Sequence, residues 1–224
     1  MNKKIKGILF DMDGTVLDSE GLFDDAQLLF LKEFEIFAKP DDLEEFKGMS
    51  YKDFYPRFTK KFNLNLNVDL IRFKIRTYLH KIMETRLKFI RGFEKFYNHY
   101  IGPSSLKVGL VTNTTRLSYQ KIQECINIDD YFNYVITVTE AKEPKPSPEP
   151  YLQAINFLSL NIRDTVIIED SKTGLISAVR TGAKVIGLTT SLNREQIKDI
   201  NKDILVADSY IDVGSFLETD DYHI

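Results

Sequence analysis

Hydrophobic positions along the chain fall into two textures that change near residue 90. The first apolar run, Ile8-Leu9-Phe10, is short and continuous and ends at a turn signal, Asp11-Met12-Asp13-Gly14. A run of that kind suits a central strand buried on both faces of a parallel sheet. Beyond residue 90, comparable runs recur at Leu106–Thr112, Tyr134–Thr137, Thr165–Ile168, Ala183–Leu188 and Ile204–Val206. Helical patterns separate them: Phe93–Tyr100, Thr115–Ile126, Pro148–Leu158, Gly174–Thr181 with Gly182 closing it, and Arg194–Ile200. Strand and helix in alternation predict an α/β fold built on a doubly wound parallel sheet.

The stretch from about Asp18 to Lys88 reads differently, since its apolar residues keep helical spacing and no convincing strand interrupts them. Leu22, Phe23, Ala26, Leu29, Phe30, Phe34 and Phe37 form one stripe, and Pro40-Asp41-Asp42 breaks it. A short helix over Leu43–Lys47 comes next, and Ser50 is placed to cap another helix, in which Phe54, Phe58 and Phe62 recur every fourth residue. A longer helix, Val68–Leu87, completes the block. The chain therefore divides into a discontinuous core, 1–17 and 91–224, and an all-helical insertion, 18–90. The aromatic spacing is read as a packed face in preference to a ligand cage.

Composition narrows the function classes. The 224 residues suffice for a sizeable core, and 43% apolar with 28% charged residues is ordinary for a globular protein. A formal net charge of −3 offers no basic footprint for nucleic acid. One cysteine, Cys125, permits neither an intrachain disulfide nor a cysteine metal cluster, and it is expected as a small buried hydrophobe. Lys3, Lys4 and Lys6 look like a leader's basic start, but Asp11 and Asp13 break any apolar stretch after it, and no run approaches a membrane span. The expectation is a cytoplasmic protein without a membrane partner.

Candidate chemistry collects at the predicted strand ends, where open α/β sheets bind ligands. Asp11 and Asp13 stand two apart, so an extended backbone can point both into one cavity. A hard divalent cation would keep Asp11 ionised as a nucleophile while Asp13 gains and loses a proton, a scheme for phosphoryl transfer through an aspartyl-phosphate. A calcium loop is excluded by spacing, because Gly14 and Leu22 fall where that loop needs other residues. Thr112 ends the second core strand before a helix whose free N–H groups suit phosphate oxygens, although Thr114 or Thr115 could simply cap that helix. In Glu143–Pro150, prolines at 144, 146, 148 and 150 stiffen the loop around Lys145, whose ammonium suits phosphate neutralisation. Glu169 and Asp170 close another buried strand; one or both could complete an oxygen shell for Mg²⁺, or Asp170 and Ser171 could only cap a helix.

Taken together and in this order, these motifs resemble those of the haloacid-dehalogenase superfamily of phosphohydrolases, in the subgroup that includes β-phosphoglucomutase and phosphoglycolate phosphatase. The resemblance covers nearly the whole chain. It implies a Rossmann-like core and a helical cap formed by the insertion. It further implies Asp11 as nucleophile, Asp13 as general acid/base, Thr112, Asn113 and Lys145 as phosphate-binding residues, and Mg²⁺ held by Asp11, the Asp13 main-chain carbonyl, Glu169 and Asp170. An acid at residue 13 favours phosphate esters over halides, because a departing alkoxide needs a proton.

Departures from the family pattern lie mainly in the insertion, with one mild change in the core, where Glu149 follows Lys145-Pro146-Ser147-Pro148 in place of the usual aspartate. Phe23 stands where related mutases and sugar-phosphate phosphatases often carry histidine, and Tyr51 occupies the mutase's phosphate-binding arginine position. Phe23, Ser50, Tyr51 and Lys52 are the candidate specificity residues. The expected function is a Mg²⁺-dependent phosphatase, monomeric, acting on a small phosphate monoester. A phosphomutase is the nearest alternative. A phosphorylation-switch module is a more distant one, because receiver domains place their acid pair early and their lysine late, whereas here Lys145 precedes the second acid pair, Glu169-Asp170. His80, His99 and His223 lie away from all these motifs and are given no role.

Overall fold

A computed structural model describes residues 5–19, 21–46, 49 and 51–219, the side chains of Tyr51 and Lys52 excepted. Two compact units result, Met1–Asp18 with Lys88–Ile224, and Ser19–Leu87.

The first unit is organised by β1 (Gly7–Phe10), buried along its whole length. It pairs in parallel with β2 (Lys107–Val111) on one side and β4 (Thr165–Glu169) on the other. Outside these lie β3 (Tyr134–Ile136), β5 (Lys184–Leu188) and β6 (Leu205–Ala207), giving the order β3-β2-β1-β4-β5-β6. This is the doubly wound α/β sheet expected from the alternation of runs, with its order reversing beside β1. Alternate side chains face opposite ways. Leu9, Val111 and Ile167 share a buried cluster with Tyr151, Ala154 and Ile155 of α6 (Glu149–Phe157) and Leu175 and Ala178 of α7 (Lys172–Thr181). On the opposite face, Phe10 meets Phe93 and Phe96 of α4 (Phe93–Phe96) edge-on at 5.8 and 6.5 Å. Each such fully buried side chain contributes roughly 1.5–3 kcal/mol through removal from water.

Three more α-helices belong to this unit among the described residues: α5 (Arg116–Cys125), α8 (Arg194–Ile200) and α9 (Tyr210–Leu217). The last of them is absent from the expected elements, although Ser209 and Asp212 form a reciprocal capping box in front of Val213 and Leu217. Gly182 ends α7 in the left-handed region at φ 79°, as expected of a C-terminal glycine. Cys125, expected fully inside, is half-buried at the end of α5.

The second unit is wholly helical among its described residues: α1 (Leu22–Glu33), a 3₁₀ segment (Pro40–Phe46), α2 (Tyr51–Lys61) and α3 (Val68–Arg86). The phenylalanines at every fourth position do pack together. Phe54 stacks on Phe58 at 5.1 Å, Phe58 meets Phe62 at 4.9 Å, and Phe46 touches all three. Phe30 joins from α1 at 6.2 Å from Phe58. The stripe on α1 is shorter than its sequence suggests, because the helix stops at Glu33 and Phe37 is 82% exposed. Ser50, expected to cap α2, lies outside the described residues. Among the described residues no helix is long and apolar enough to cross a membrane.

Candidate active site

Sheet register assembles the centre of the site. Phe10 lies level with Leu110 on β2 and Ile168 on β4, so the next level brings Val111, Asp11 and Glu169 side by side. The Lys145 ammonium bonds all three, reaching Asp11 Oδ1 at 2.5 Å, the Val111 carbonyl at 2.7 Å and Glu169 Oε1 at 2.7 Å. Asp11 comes two residues after Leu9 and so points to the same side of the sheet, the side that carries Tyr151. The Tyr151 hydroxyl lies 3.0 Å from Lys145 Nζ and donates to Glu169 Oε1 at 2.9 Å. Lys145 is 5% exposed and Glu169 fully buried, so neither charge is balanced by water.

The loop that delivers Lys145 is clamped as well as proline-stiffened. The Asn113 side chain accepts from the Lys145 N–H at 3.0 Å and donates to its carbonyl at 3.1 Å. Asn113, expected to bind phosphate, thus spends its amide on the lysine's backbone. Thr112 is buried at the end of β2, and its hydroxyl accepts from the Thr114 N–H at 3.0 Å.

Glu169 is committed to protein partners through both oxygens. Besides Lys145 and Tyr151 on Oε1, Oε2 accepts from the N–H groups of Asp170 and Ser171 at 3.0 and 3.2 Å and from the Ser171 hydroxyl at 3.2 Å. Ser171 also caps α7 by accepting from Gly174 N–H. Gly174 must be glycine for this approach, since a Cβ there would strike the Glu169 carboxylate. Asp170 is fixed from two directions: Thr15 donates to Oδ1 at 2.8 Å, and Ser191 donates to Oδ2. Gly14 turns at φ 76° against that same carboxylate, with Thr190 donating to its carbonyl at 2.6 Å.

Carboxylate oxygens of Asp11, Glu169 and Asp170 all come within 4.8 Å of one another. Three acids face one ammonium, an excess of negative charge in a buried place. Burial first, and then the Glu169 carboxylate, pushes the Asp11 carboxyl well above its ordinary range, although Lys145 pulls it down. Burial opposes the charge on Lys145, but Asp11 and Glu169 outweigh it and hold its pKa above the usual value. Burial and Glu169 raise Tyr151 far above an ordinary phenol, so it stays a donor. A hard, oxygen-rich donor set with surplus negative charge suits a divalent cation such as Mg²⁺.

Asp13 is not one of the three converging carboxylates. Its side chain is exposed, and Oδ2 accepts from the Thr114 hydroxyl at 2.9 Å. Of the candidate specificity residues, Phe23 packs on Phe54 at 5.6 Å inside the helical unit. Ser50 and the side chains of Tyr51 and Lys52 lie outside the described residues.

Sequence reasoning passed over Tyr151, Thr190 and Ser191, and weighed Thr114 only as a helix cap. Tyr151 had a readable signal, since it shares a helix face with Ala154, Ile155 and Leu158, and a buried tyrosine needs a partner for its hydroxyl. Thr189-Thr190-Ser191 is a run of hydroxyls just past a strand's carboxyl end, the edge where the other candidates sit.

The family model described as haloacid dehalogenase-like hydrolase matches residues 8–188. Among curated relatives, a pyrophosphatase of Bacillus mycoides, PpaX, is 22% identical over 94% of this chain and 95% of its own length. Glycerol-1-phosphate phosphohydrolase 2 of Saccharomyces cerevisiae is 28% identical over 99% of this chain and 90% of its own. A crystal structure from Thermotoga maritima, provisionally assigned as a β-phosphoglucomutase, superposes with a TM-score of 0.86 at 19% identity, covering 96% of this chain and 99% of that one.

Proposed function

The chain belongs to the haloacid dehalogenase-like hydrolases, and from that premise we propose that it is a Mg²⁺-dependent phosphatase that hydrolyses a small phosphate monoester through an aspartyl-phosphate. The observation that carries this reading is the buried level of Asp11, Lys145 and Glu169, with ammonium-to-carboxylate distances of 2.5 and 2.7 Å at the sheet's carboxyl edge. The activities named for the yeast and Bacillus relatives, on a glycerol phosphate and on pyrophosphate, agree with phosphoryl chemistry while differing in substrate.

In this scheme an Asp11 carboxylate oxygen attacks phosphorus, and the bond from phosphorus to the ester oxygen breaks. The electron pair stays on that oxygen, which takes a proton from Asp13 and leaves as an alcohol. Water then attacks the aspartyl-phosphate, gives its proton to Asp13, and releases phosphate with Asp11 regenerated. Lys145 offsets charge on Asp11 and the phosphoryl oxygens, while the Thr112 hydroxyl and the Asn113 main-chain N–H supply hydrogen bonds to them. Asp11, Asp170 and the Asp13 main-chain carbonyl would hold Mg²⁺, and Glu169, already engaged on both oxygens, would fix Lys145 and the start of α7. When bound there, Mg²⁺ polarises the phosphoryl oxygens and keeps the acids ionised. Substrate choice is assigned to Phe23, Ser50, Tyr51 and Lys52.

Phosphate release from a panel of monoesters, in Mg²⁺ and in EDTA, tests the reading. Hydrolysis that needs Mg²⁺ and disappears in Asp11→Asn is the expected result. Full activity in chelator or in Asp11→Asn would overturn it. Transfer to a sugar acceptor that depends on a bisphosphate would establish the mutase instead.

A further inference from the structure

We infer that Thr114 is a positioning residue for Asp13, so that its hydroxyl sets the direction in which the proton is delivered to the leaving group. The inference rests on the phosphatase reading and adds to it a residue that the motif chemistry does not use.

Thr114 and Thr115 are both placed to cap α5, but only one of them does so. Thr115 accepts from Ser118 N–H at 3.3 Å and donates to the Ser118 hydroxyl at 3.1 Å. Thr114 instead reaches across to the loop after β1 and donates to Asp13 Oδ2 at 2.9 Å, a contact between residues 101 apart in sequence.

The backbone that aims this hydroxyl is held on both sides. The Thr114 N–H is bonded to Thr112 Oγ1 at 3.0 Å, and its carbonyl accepts from Val138 N–H at 3.2 Å. A β-branched side chain on a fixed backbone has few rotamers to choose from. Asp13 itself is the exposed member of the acid pair, on the turn that follows β1. A donor fixed just past the end of β2 therefore holds Oδ2 of the acid on the β1 loop in a set direction. Thr112 links the two tasks, since the residue proposed to hold the phosphoryl group also locks the residue that orients the acid.

Orientation of a general acid matters most where the leaving oxygen is strongly basic. An alkyl phosphate expels an alkoxide and needs the proton as the bond breaks, whereas p-nitrophenyl phosphate expels a stable phenolate and barely needs it. The experiment compares kcat/KM for glycerol 2-phosphate and for p-nitrophenyl phosphate in wild type, Thr114→Val, Thr114→Ser and Asp13→Asn. This parameter reports steps up to formation of the aspartyl-phosphate, so slow hydrolysis of that intermediate does not enter. Thr114→Val should lower the alkyl value about tenfold, a fraction of what a general acid supplies, and leave the aryl value within about twofold. Thr114→Ser, which keeps the donor, should restore the alkyl value. Equal losses on both esters, or no loss on either, would overturn the inference while Asp13→Asn still discriminates between them. If the wild type hydrolyses neither ester, or Asp13→Asn treats both alike, the phosphatase reading fails and the inference with it.

Discussion

The two units bury their most distinctive side chains in opposite ways. In the sheet-bearing unit, Asp11, Lys145, Glu169 and Tyr151 are buried together, each held by directional bonds to partners that are mostly far away in sequence. In the helical unit, Phe30, Phe46, Phe54, Phe58 and Phe62 fill an interior through ring contacts of 4.9–6.2 Å, many between neighbours on a single helix. Directional polar contacts fail abruptly, because a lost partner strands a buried charge, whereas ring contacts fail gradually, because neighbours shift into the gap. The first arrangement fixes the atoms proposed to react, and the second fixes only a shape. Precision in this chain is concentrated at one edge of the sheet.

Lys145→Met should show the abrupt failure most strongly. It strands Asp11 and Glu169 as uncompensated buried acids, so we expect turnover to vanish and stability to fall by roughly 3–5 kcal/mol in urea unfolding. Adding Glu169→Gln to that variant should recover part of the stability by removing one stranded charge, while turnover stays lost. Additive losses in the double variant would show that the polar cluster is not coupled.

Phe58→Ala probes the other kind of burial. The ring is fully buried between Phe54, Phe62 and Phe46. Its loss should cost about 3 kcal/mol, the low end of the range for phenylalanine deletion, because the surrounding rings can partly close the cavity. A cost well above about 5 kcal/mol would mean that the aromatic cluster is as unforgiving as the polar one.

The same contrast explains what was legible in the sequence. The phenylalanine spacing and the apolar runs record local periodicity, so the helical unit and the strands could be read directly. Asp11, Lys145 and the Glu169-Asp170 pair were legible because each stands at the end of an apolar run or in a proline-dense loop. What escaped depends on chain segments meeting in space. No spacing tells that Thr114 crosses to Asp13 while Thr115 caps α5, or that Ser191 reaches Asp170. Asn113 is the sharpest case: the family resemblance implied a phosphate contact, and no spacing tells that its side-chain amide closes on the Lys145 backbone, 32 residues away. The final helix was missed for a different reason, since Ser209 and Asp212 signal its start locally and were passed over.

The smallest effect is expected where directional bonds lie at the surface. Arg116 at the start of α5 pairs with Glu140 through Nε at 2.9 Å and Nη2 at 3.0 Å, tying that helix to the loop after β3. Glu140 also accepts from the Thr137 N–H and hydroxyl at 2.9 and 2.7 Å. Burial alone would raise the Glu140 carboxyl, but the Arg116 and Thr137 bonds outweigh it and lower the pKa from 4.5 to about 2. A carboxylate with a depressed folded-state pKa contributes stability that is present above its ordinary value and is lost as pH falls towards the depressed one. Its side chain is 40% exposed, so water screens the pair. We therefore expect Glu140→Gln to cost no more than about 1 kcal/mol at neutral pH. The stability difference between wild type and variant, measured by urea unfolding at decreasing pH, should start to shrink near 4.5 and approach zero at about 2. A difference that stayed constant over that interval would show that Glu140 acts through the shape of its hydrogen bonds and not through its charge. The distinction between the buried level at Lys145 and this exposed clamp would then rest on geometry alone.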